Sequence, residues 1–403
     1  MIDLRAARAD PGPFRAALAR KGAAEAFDAL LAADERWRAL VPQVDELRSR
    51  QKLDTKGKPT PEQLEELKRV KVELQAKEAE LAEAEAERDR LALRVPNPPE
   101  DDVPDGSTED DVRELRRSGE PPALDEVREH LEIGRFDMER AARMSGARFG
   151  YWLGDTARLA LALYRFALDR LAEKGFVTAL PPVLVRESAL IGTGAFPSDE
   201  ANVYEVVGDG LYLAGTAEIP LASLHAGEIL AADELPLRYV AFSPCFRREA
   251  GAAGRDTRGM IRVHQFNKVE QFSLTRPEDS AAEHEELLAN TEELVGALGL
   301  PYRVVVLPAG DMSSASAKTY DVEIWFPSQD RYRETASVSN TTDFQARRLG
   351  IRYRGERGLE PVHTLNGTAV TDRWVLAMLE NFGGEVPEVL REFGAPERVR
   401  PDG

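Results

Sequence analysis

Residues 246–270 read FRREAGAAGRDTRGMIRVHQFNKVE, and the way this stretch folds decides the rest. An alternating run over 241–247 suits a β-strand, whose side chains point to opposite faces in turn. A loop follows in which Gly251 and Gly254 admit backbone shapes that other residues resist. The loop carries Arg255, Asp256 and Arg258. A second run, 260–270, places Ile261, Val263, Gln265 and Asn267 on one face and Arg262, His264, Phe266 and Lys268 on the other. The expected shape is two antiparallel strands joined by a long, arginine-bearing loop. Arg247, Arg248, Arg255, Arg258 and Arg262 against Glu249 and Asp256 leave a net +3 here, in a chain of net charge −18. A cationic hairpin on an acidic protein suits an anionic ligand, and a guanidinium fork suits phosphate. An arbitrary FRxE, by contrast, is more often a surface hairpin with solvated arginines.

Length and composition bound what such a hairpin can serve. A chain of 403 residues has room for a large core and an appendage or second domain. No run approaches the roughly 20 apolar residues of a membrane span. The opening MIDLRAARADPG lacks the apolar segment of a secretory signal. Cys245 is the single cysteine, which excludes a disulfide framework and a cysteine-based zinc site. A cytoplasmic protein without membrane or zinc is expected. The acidic balance argues against a generic polyanion binder but not against a locally basic surface.

Towards the N-terminus, residues 1–26 read as a helical lead-in punctuated by Pro11 and Pro13. Leu30, Trp37 and Val44 then recur every seven residues in a helix to about Arg50, which Pro42 is expected to kink or interrupt. Thr60 is a candidate N-cap with Pro61 at the first helical position, opening a second long helix to about Arg94. Lys77 and Arg88 interrupt its apolar seam. Two such helices joined by a short turn make an antiparallel coiled-coil hairpin. Its tip, residues 48–71, holds eight basic and four acidic residues, net +4. The basic ones are Arg48, Arg50, Lys52, Lys56 and Lys58 on one side and Lys68, Arg69 and Lys71 on the other. A run of this kind is either a solvated face or dimerisation arm, or a surface for the phosphates of a structured RNA. A linker rich in proline and acidic residues follows Val95, with a domain boundary expected near residue 105.

Beyond it, 155–174 reads as an amphipathic helix ended by Gly175, followed by a strand closed by Pro181 and Pro182. Residues 279–300 read as helix, 304–307 and 318–326 as strands. Asp321, Glu323 and Glu334 are carboxylates on adjacent strands, so a basic partner or a cation is expected beside them. Residues 363–368 lead through Arg373 into a helix over 374–381. A helix N-terminus with a guanidinium suits a triphosphate or a purine. No P-loop, GxGxxG or HExxH pattern is present. His264 is expected to be structural and Cys245 a packed strand residue.

The full string 246–270 resembles motif 2 of the class II aminoacyl-tRNA synthetases, in the form found in seryl-tRNA synthetases. The blocks 310–348 and 363–381, the latter similar to motif 3, extend the resemblance, as do the helix, strand and proline of motif 1 and the N-terminal arm. It implies an α+β fold: a catalytic domain of mostly antiparallel sheet flanked by helices, 106–403, behind a tRNA-binding helical hairpin, 1–105. The implied activity is that of a serine–tRNA ligase. L-serine attacks the α-phosphate of ATP to give seryl-adenylate and pyrophosphate, and the 3′ end of tRNA(Ser), with tRNA(Sec) a further candidate, then accepts the seryl group. A homodimer and Mg²⁺ are implied as well.

Carried over position by position, the resemblance implies that Arg247 bridges the α-phosphate and the serine carboxylate. Glu249 reads the adenine amino group, and Phe266 and Arg373 sandwich the purine beside Val263. Arg248, Thr335 and Ala336 complete the ATP contacts. Glu334 and Ser337 hold Mg²⁺. Thr216, Ala217, Glu218, Glu270, Asn366 and Thr368 surround serine, with Thr216 and Glu218 placed for its ammonium group and Glu270 for its side-chain hydroxyl. Arg247, Arg373 and Glu334 are the expected catalytic residues. The segment 366–373, NGTAVTDR, departs from the family's commonest forms. Asp372 stands within reach of pairing with Arg373 and competing with ATP. The alternatives are a divergent paralogue with a specialised role, or a non-catalytic tRNA-binding regulator; a ligase for a carrier protein is disfavoured by the arm and the single cysteine.

Overall fold

The computed structural model describes residues 1–52, 60–250, 259–356 and 358–402. Gly251, Gly254, Arg255, Asp256 and Arg258 of the central loop, and Lys56 and Lys58 at the arm tip, lie outside the described residues. The chain divides into two compact units, Met1–Pro96 and Asn97–Gly403. The division falls ahead of the boundary expected near residue 105. The reason is that the proline-rich segment is built into the second unit. Asn97 donates its amide to the carbonyls of Ala315 at 2.9 Å and Thr341 at 2.8 Å, and Val103 is buried with Ala309 and Met312.

In the first unit, α1 (Leu4–Ala9) and α2 (Pro11–Ala19) precede two long helices, α3 (Ala24–Gln51) and α4 (Pro61–Ala92). Thr60 caps α4 in a reciprocal box with Gln63, as its position before Pro61 requires. At 1.5 Å per residue α4 is about 50 Å long. Helix α3 continues through Pro42, so the boundary expected there does not occur. The proline forgoes one backbone bond, while Val44 and Leu47 just beyond it pack on Val70 and Leu74 of α4. Arg88, an interruption of the apolar seam, lies over the Trp37 ring at 4.0 Å and so packs with its stem and charge both used.

The second unit is organised by an eight-stranded sheet. Its strands are β1 (Arg113–Ser118), β2 (Val177–Ala179), β3 (Leu237–Phe246), β4 (Gln265–Thr275), β5 (Tyr302–Val306), β6 (Lys318–Phe326), β7 (Arg331–Asn340) and β8 (His363–Thr371), in the spatial order β1-β5-β6-β7-β8-β4-β3-β2. Every pairing is antiparallel except β2 with β3. Helices α5 (Gly154–Glu173), α6 (Ser280–Ala297) and α7 (Asp372–Phe382) contribute Leu163, Leu287 and Trp374 to a core shared with Val269, Val322 and Val338 of the sheet. One face of the sheet is thereby closed with apolar side chains; on the other, Phe272 and Leu274 of β4 join a second apolar cluster, and Lys268 and Glu270 further along the strand are left polar.

The second strand of the central hairpin begins at Gln265, not at Met260. Residues 259–264 send their backbone elsewhere. Met260 N–H donates to His130 Nε2 at 3.2 Å, and His264 N–H to the Arg148 carbonyl at 3.0 Å. His130 Nδ1 is bonded to Glu380 Oε1 of α7 at 2.7 Å, so the ring holds the exit of the loop against the last helix. Met260, Ile261 and Val263 are all buried, which breaks the alternation read from the sequence.

Candidate active site

β4, β7 and β8, with both feet of the central loop, surround a cavity of about 260 Å³. Phe266, Lys268 and Glu270 line it at the two-residue period of β4. On β7 the lining residues are Glu334, Thr335, Ser337 and Ser339, which no single period explains. A bulge does. Val322 pairs with Ala336 and Glu323 with Glu334, leaving Thr335 extra, so Glu334 and Ser337, three apart, reach the same cavity. A second bulge acts likewise on β8: Val269 pairs with Val370 and Glu270 with Thr368, leaving Ala369 extra. Asn366, Thr368 and Thr371 all line the cavity as a result.

One end of the cavity gathers carboxylates. Glu270 is 1 % exposed, paired with the buried Lys268, and accepts a bond from Thr216 Oγ1 at 3.3 Å. Glu218 accepts a bond from Gln345 Nε2 at 2.6 Å, and its carboxyl is pushed up to about 7, by burial first and by the charge of Glu270 second. At neutral pH Glu218 therefore carries only part of a charge.

The other end gathers arginines. Arg247 donates Nε to the Gly215 carbonyl at 3.3 Å, and its guanidinium lies 5.3 Å from the Phe266 ring. Arg373, in the first turn of α7, donates to the Ile261 carbonyl at 3.1 Å and to Glu334 Oε2 at 2.9 Å. Glu249 is paired with Arg262 at 2.5 Å. The pairing of Asp372 with Arg373 does not occur. Asp372 accepts instead from the Asn267 N–H at 2.9 Å and from the Tyr164 hydroxyl, and burial pushes its carboxyl up to about 6.

The three neighbouring carboxylates meet three different fates. Glu323 pairs with Arg303 at 2.6 Å. Partial loss of water opposes ionisation of Glu334, whose side chain is still half exposed, but Arg373 and then Arg247 outweigh it and hold the carboxyl below its ordinary value. Asp321 is pushed well up by burial and by Glu334, against a bond from Ser337, and its Oδ1 finds no partner among the described residues. Glu334 and Ser337 thus present a carboxylate and a hydroxyl oxygen beside an unsatisfied carboxyl oxygen. This all-oxygen donor set fits Mg²⁺.

The structure brings most of the expected site residues to this one cavity: Thr216, Glu218, Arg247, Glu249, Val263 and Phe266 from one side, and Glu270, Glu334, Thr335, Ser337, Asn366, Thr368 and Arg373 from the other. It does not bring Ala217, Arg248 or Ala336. The methyls of Ala217 and Ala336 are buried in apolar clusters, and Arg248 is exposed. Lys268 and Arg262, placed from the sequence on one strand face with Phe266, were given no role in the site, yet both line the cavity. Lys268 falls between Phe266 and Glu270 at strand period, as the alternation placed it. His264 bonds the Arg247 carbonyl through Nδ1 at 3.0 Å, a structural contact, and Cys245 is fully buried with its thiol pushed up by burial.

At the arm tip Arg48, Arg50, Lys52, Lys68, Arg69 and Lys71 are all exposed. Arg48 pairs with Glu78 at 2.9 Å, Arg50 with Glu66 at 3.0 Å and Arg69 with Glu66 at 2.8 Å. Exposed pairs of this kind are worth about 0–1 kcal/mol, so they yield readily to a phosphate.

Comparison with known proteins finds relatives along the whole chain. Residues 204–382 match the tRNA synthetase class II core domain (G, H, P, S and T), and residues 1–99 match the seryl-tRNA synthetase N-terminal domain. The serine–tRNA ligase of Mycolicibacterium vanbaalenii is 45% identical, covering 100% of both chains, and that of Thermobifida fusca is 45% identical over 100% of this chain and 99% of its own. The crystal structure of seryl-tRNA synthetase from Pyrococcus horikoshii complexed with ATP superposes with a TM-score of 0.93 at 38% identity, over 100% of both chains. The cytoplasmic serine–tRNA ligase of Naegleria fowleri in complex with AMP gives 0.87 at 32% identity, over 97% and 96%.

Proposed function

The chain belongs to the seryl-tRNA synthetases, and from that premise we propose how its residues divide the work of a serine–tRNA ligase. It activates serine with ATP and transfers the seryl group to tRNA. The observation that carries the assignment of residues is the division of one cavity into a carboxylate end and an arginine end. Serine brings a cation, a hydroxyl and a carboxylate; ATP brings phosphates and a purine. The two ends suit them in that order, and Arg247 stands where the serine carboxylate and the α-phosphate meet.

Glu270 receives the serine ammonium or hydroxyl, with Thr216, Asn366 and Thr368 around it. Arg247 holds the attacking carboxylate and the α-phosphate together, which converts a collision into a positioned encounter. Its charge, with that of Arg373, opposes the negative charge that builds on the phosphorus oxygens. Phe266 and Arg373 flank the purine, and Glu249 accepts from its amino group. Glu334 and Ser337 would hold Mg²⁺, which supplies charge neutralisation to the phosphates. No group on the protein need become covalently attached.

The basic tip of the arm binds the backbone of tRNA(Ser). Exposed Val177, Leu180 and Leu184, on and beside the edge strand β2, support assembly as a homodimer. Among the described residues no helix is long and apolar enough to cross a membrane, and a cytoplasmic setting agrees with tRNA as substrate. The intact carboxylate and arginine ends speak against a non-catalytic regulator. The test is charging of tRNA by the whole chain and by a chain trimmed of residues 48–71. Loss of charging with pyrophosphate exchange retained supports the arm's role; charging unaffected by trimming refutes it.

A further inference from the structure

We propose that Asn202, outside every motif of the site, is a positioning residue that fixes the backbone of Glu249 for adenine recognition. The inference rests on Glu249 reading the adenine amino group. Glu249 has φ +52°, a left-handed conformation that costs a residue with a Cβ about 1 kcal/mol. Nothing in the FRRE sequence favours that shape, so surrounding structure must impose it. Asn202 is placed to do so from both sides. Its backbone carbonyl accepts from the Arg248 N–H at 2.8 Å, and its side-chain Oδ1 accepts from the Ala250 N–H at 2.9 Å. A single residue thus holds the two neighbours of Glu249. The Asn202 amide is itself aimed: Nδ2 donates to Asp199 Oδ1 at 2.6 Å, and Asn202 N–H donates to the Asp199 carbonyl at 3.0 Å.

The consequence is directional. Glu249 lies beyond the end of β3, where no strand pairing fixes its backbone. With both flanking N–H groups held, its side chain enters the cavity and reaches Arg262. With the Oδ1 bond gone, Arg248 is still held but Ala250 is free to rotate, and Glu249 can relax to a negative φ that turns the carboxylate away. Asn202 is not among the residues that line the cavity Glu249 enters. Its effect should therefore fall on recognition of the base and not on serine.

The test is serine-dependent pyrophosphate exchange with ATP and with inosine triphosphate, which lacks the 6-amino group. The enzymes are the full chain, Glu249→Ala, Asn202→Ala and the double exchange Asp199→Asn with Asn202→Asp. In the double exchange donor and acceptor trade places and the oxygen facing Ala250 is kept. Asn202→Ala removes two side-chain hydrogen bonds, of which only the one from Ala250 holds a neighbour of Glu249; the loss of that one should raise KM for ATP about fivefold. The preference for ATP over inosine triphosphate should narrow by a similar factor, and KM for serine and the thermal midpoint should stay put. Glu249→Ala should narrow the preference at least as far, and the double exchange should restore it. If Glu249→Ala leaves the preference intact, the adenine reading fails and this proposal with it. If Glu249→Ala narrows the preference and Asn202→Ala does not, or if the double exchange fails to restore it, the positioning role of Asn202 is overturned while the reading of Glu249 stands.

Discussion

Replacing Glu270 by glutamine should separate serine recognition from ATP recognition. The side chain is 1 % exposed and its carboxylate meets Lys268 and the Thr216 hydroxyl. Glutamine keeps the shape and can still accept from Thr216, but it removes the charge that a serine ammonium would meet. A hydrogen bond to a charged group is worth about 1.5–3 kcal/mol, and the loss of one at about 2 kcal/mol corresponds to roughly a 30-fold rise in KM for serine. The purine and phosphate contacts lie at the arginine end, so KM for ATP should move by less than about twofold, the spread expected of a site that is not touched. Lys268 would lose its nearest counter-charge. Part of that loss is recovered because Glu218, no longer beside a second carboxylate, ionises more easily. Folding should therefore survive, unlike Glu270→Ala, which strands a buried ammonium in a void. Steady-state pyrophosphate exchange, varying serine at saturating ATP and then ATP at saturating serine, reads both constants. Equal rises in the two would refute the division of the cavity into two ends, and no rise for serine would remove Glu270 from its recognition.

Three further outcomes are expected. Glu218 has its carboxyl raised from an ordinary 4.5 to about 7 in the folded chain, so between those values the folded state binds more protons than the unfolded one. Its contribution to stability therefore falls as pH rises through that window, by about 3 kcal/mol in all; Asp372, raised to about 6, has the same sign. Glu218→Gln should flatten the decline of the thermal midpoint between pH 5 and pH 8, and an unchanged slope would contradict the raised value. Asp372→Asn should destabilise the chain by about 1–3 kcal/mol, because one acceptor of a buried pair of donors is lost. Denaturant melts would show this, whereas a fall in KM for ATP without destabilisation would revive competition between Asp372 and Arg373. Neutralising Lys52, Lys68 and Lys71 to glutamine should weaken tRNA binding and reduce its salt slope by about 1 for each phosphate no longer neutralised, with pyrophosphate exchange unchanged; a salt slope equal to that of the unaltered chain would take these three lysines off the RNA surface.

What the sequence made legible follows the regular parts of the fold. Phe266 and Glu270 lie on an uninterrupted strand, and their spacing alone puts them on one face. The N-cap at Thr60 and the amphipathic helix α5 were equally plain, because local chemistry decides each. What was hidden depends on irregularity or on distant partners. The bulges at Thr335 and Ala369 break the two-residue period, so only a resemblance could couple Glu334 with Ser337. Residues 260–264 alternate like a strand but are held by His130 and Arg148, more than a hundred residues away in sequence. Pro42 reads as a break, yet packing of α3 on α4 overrides it. Asp372 reads as a rival for Arg373, yet Tyr164 and the Asn267 N–H claim it first.

The most direct test of the whole is exchange of labelled pyrophosphate into ATP, run with each of the twenty amino acids in turn. Serine should support exchange well above every other amino acid, and Arg247→Gln should abolish it. Exchange driven equally by several amino acids, or undiminished in Arg247→Gln, would contradict a serine-specific site with Arg247 at its centre.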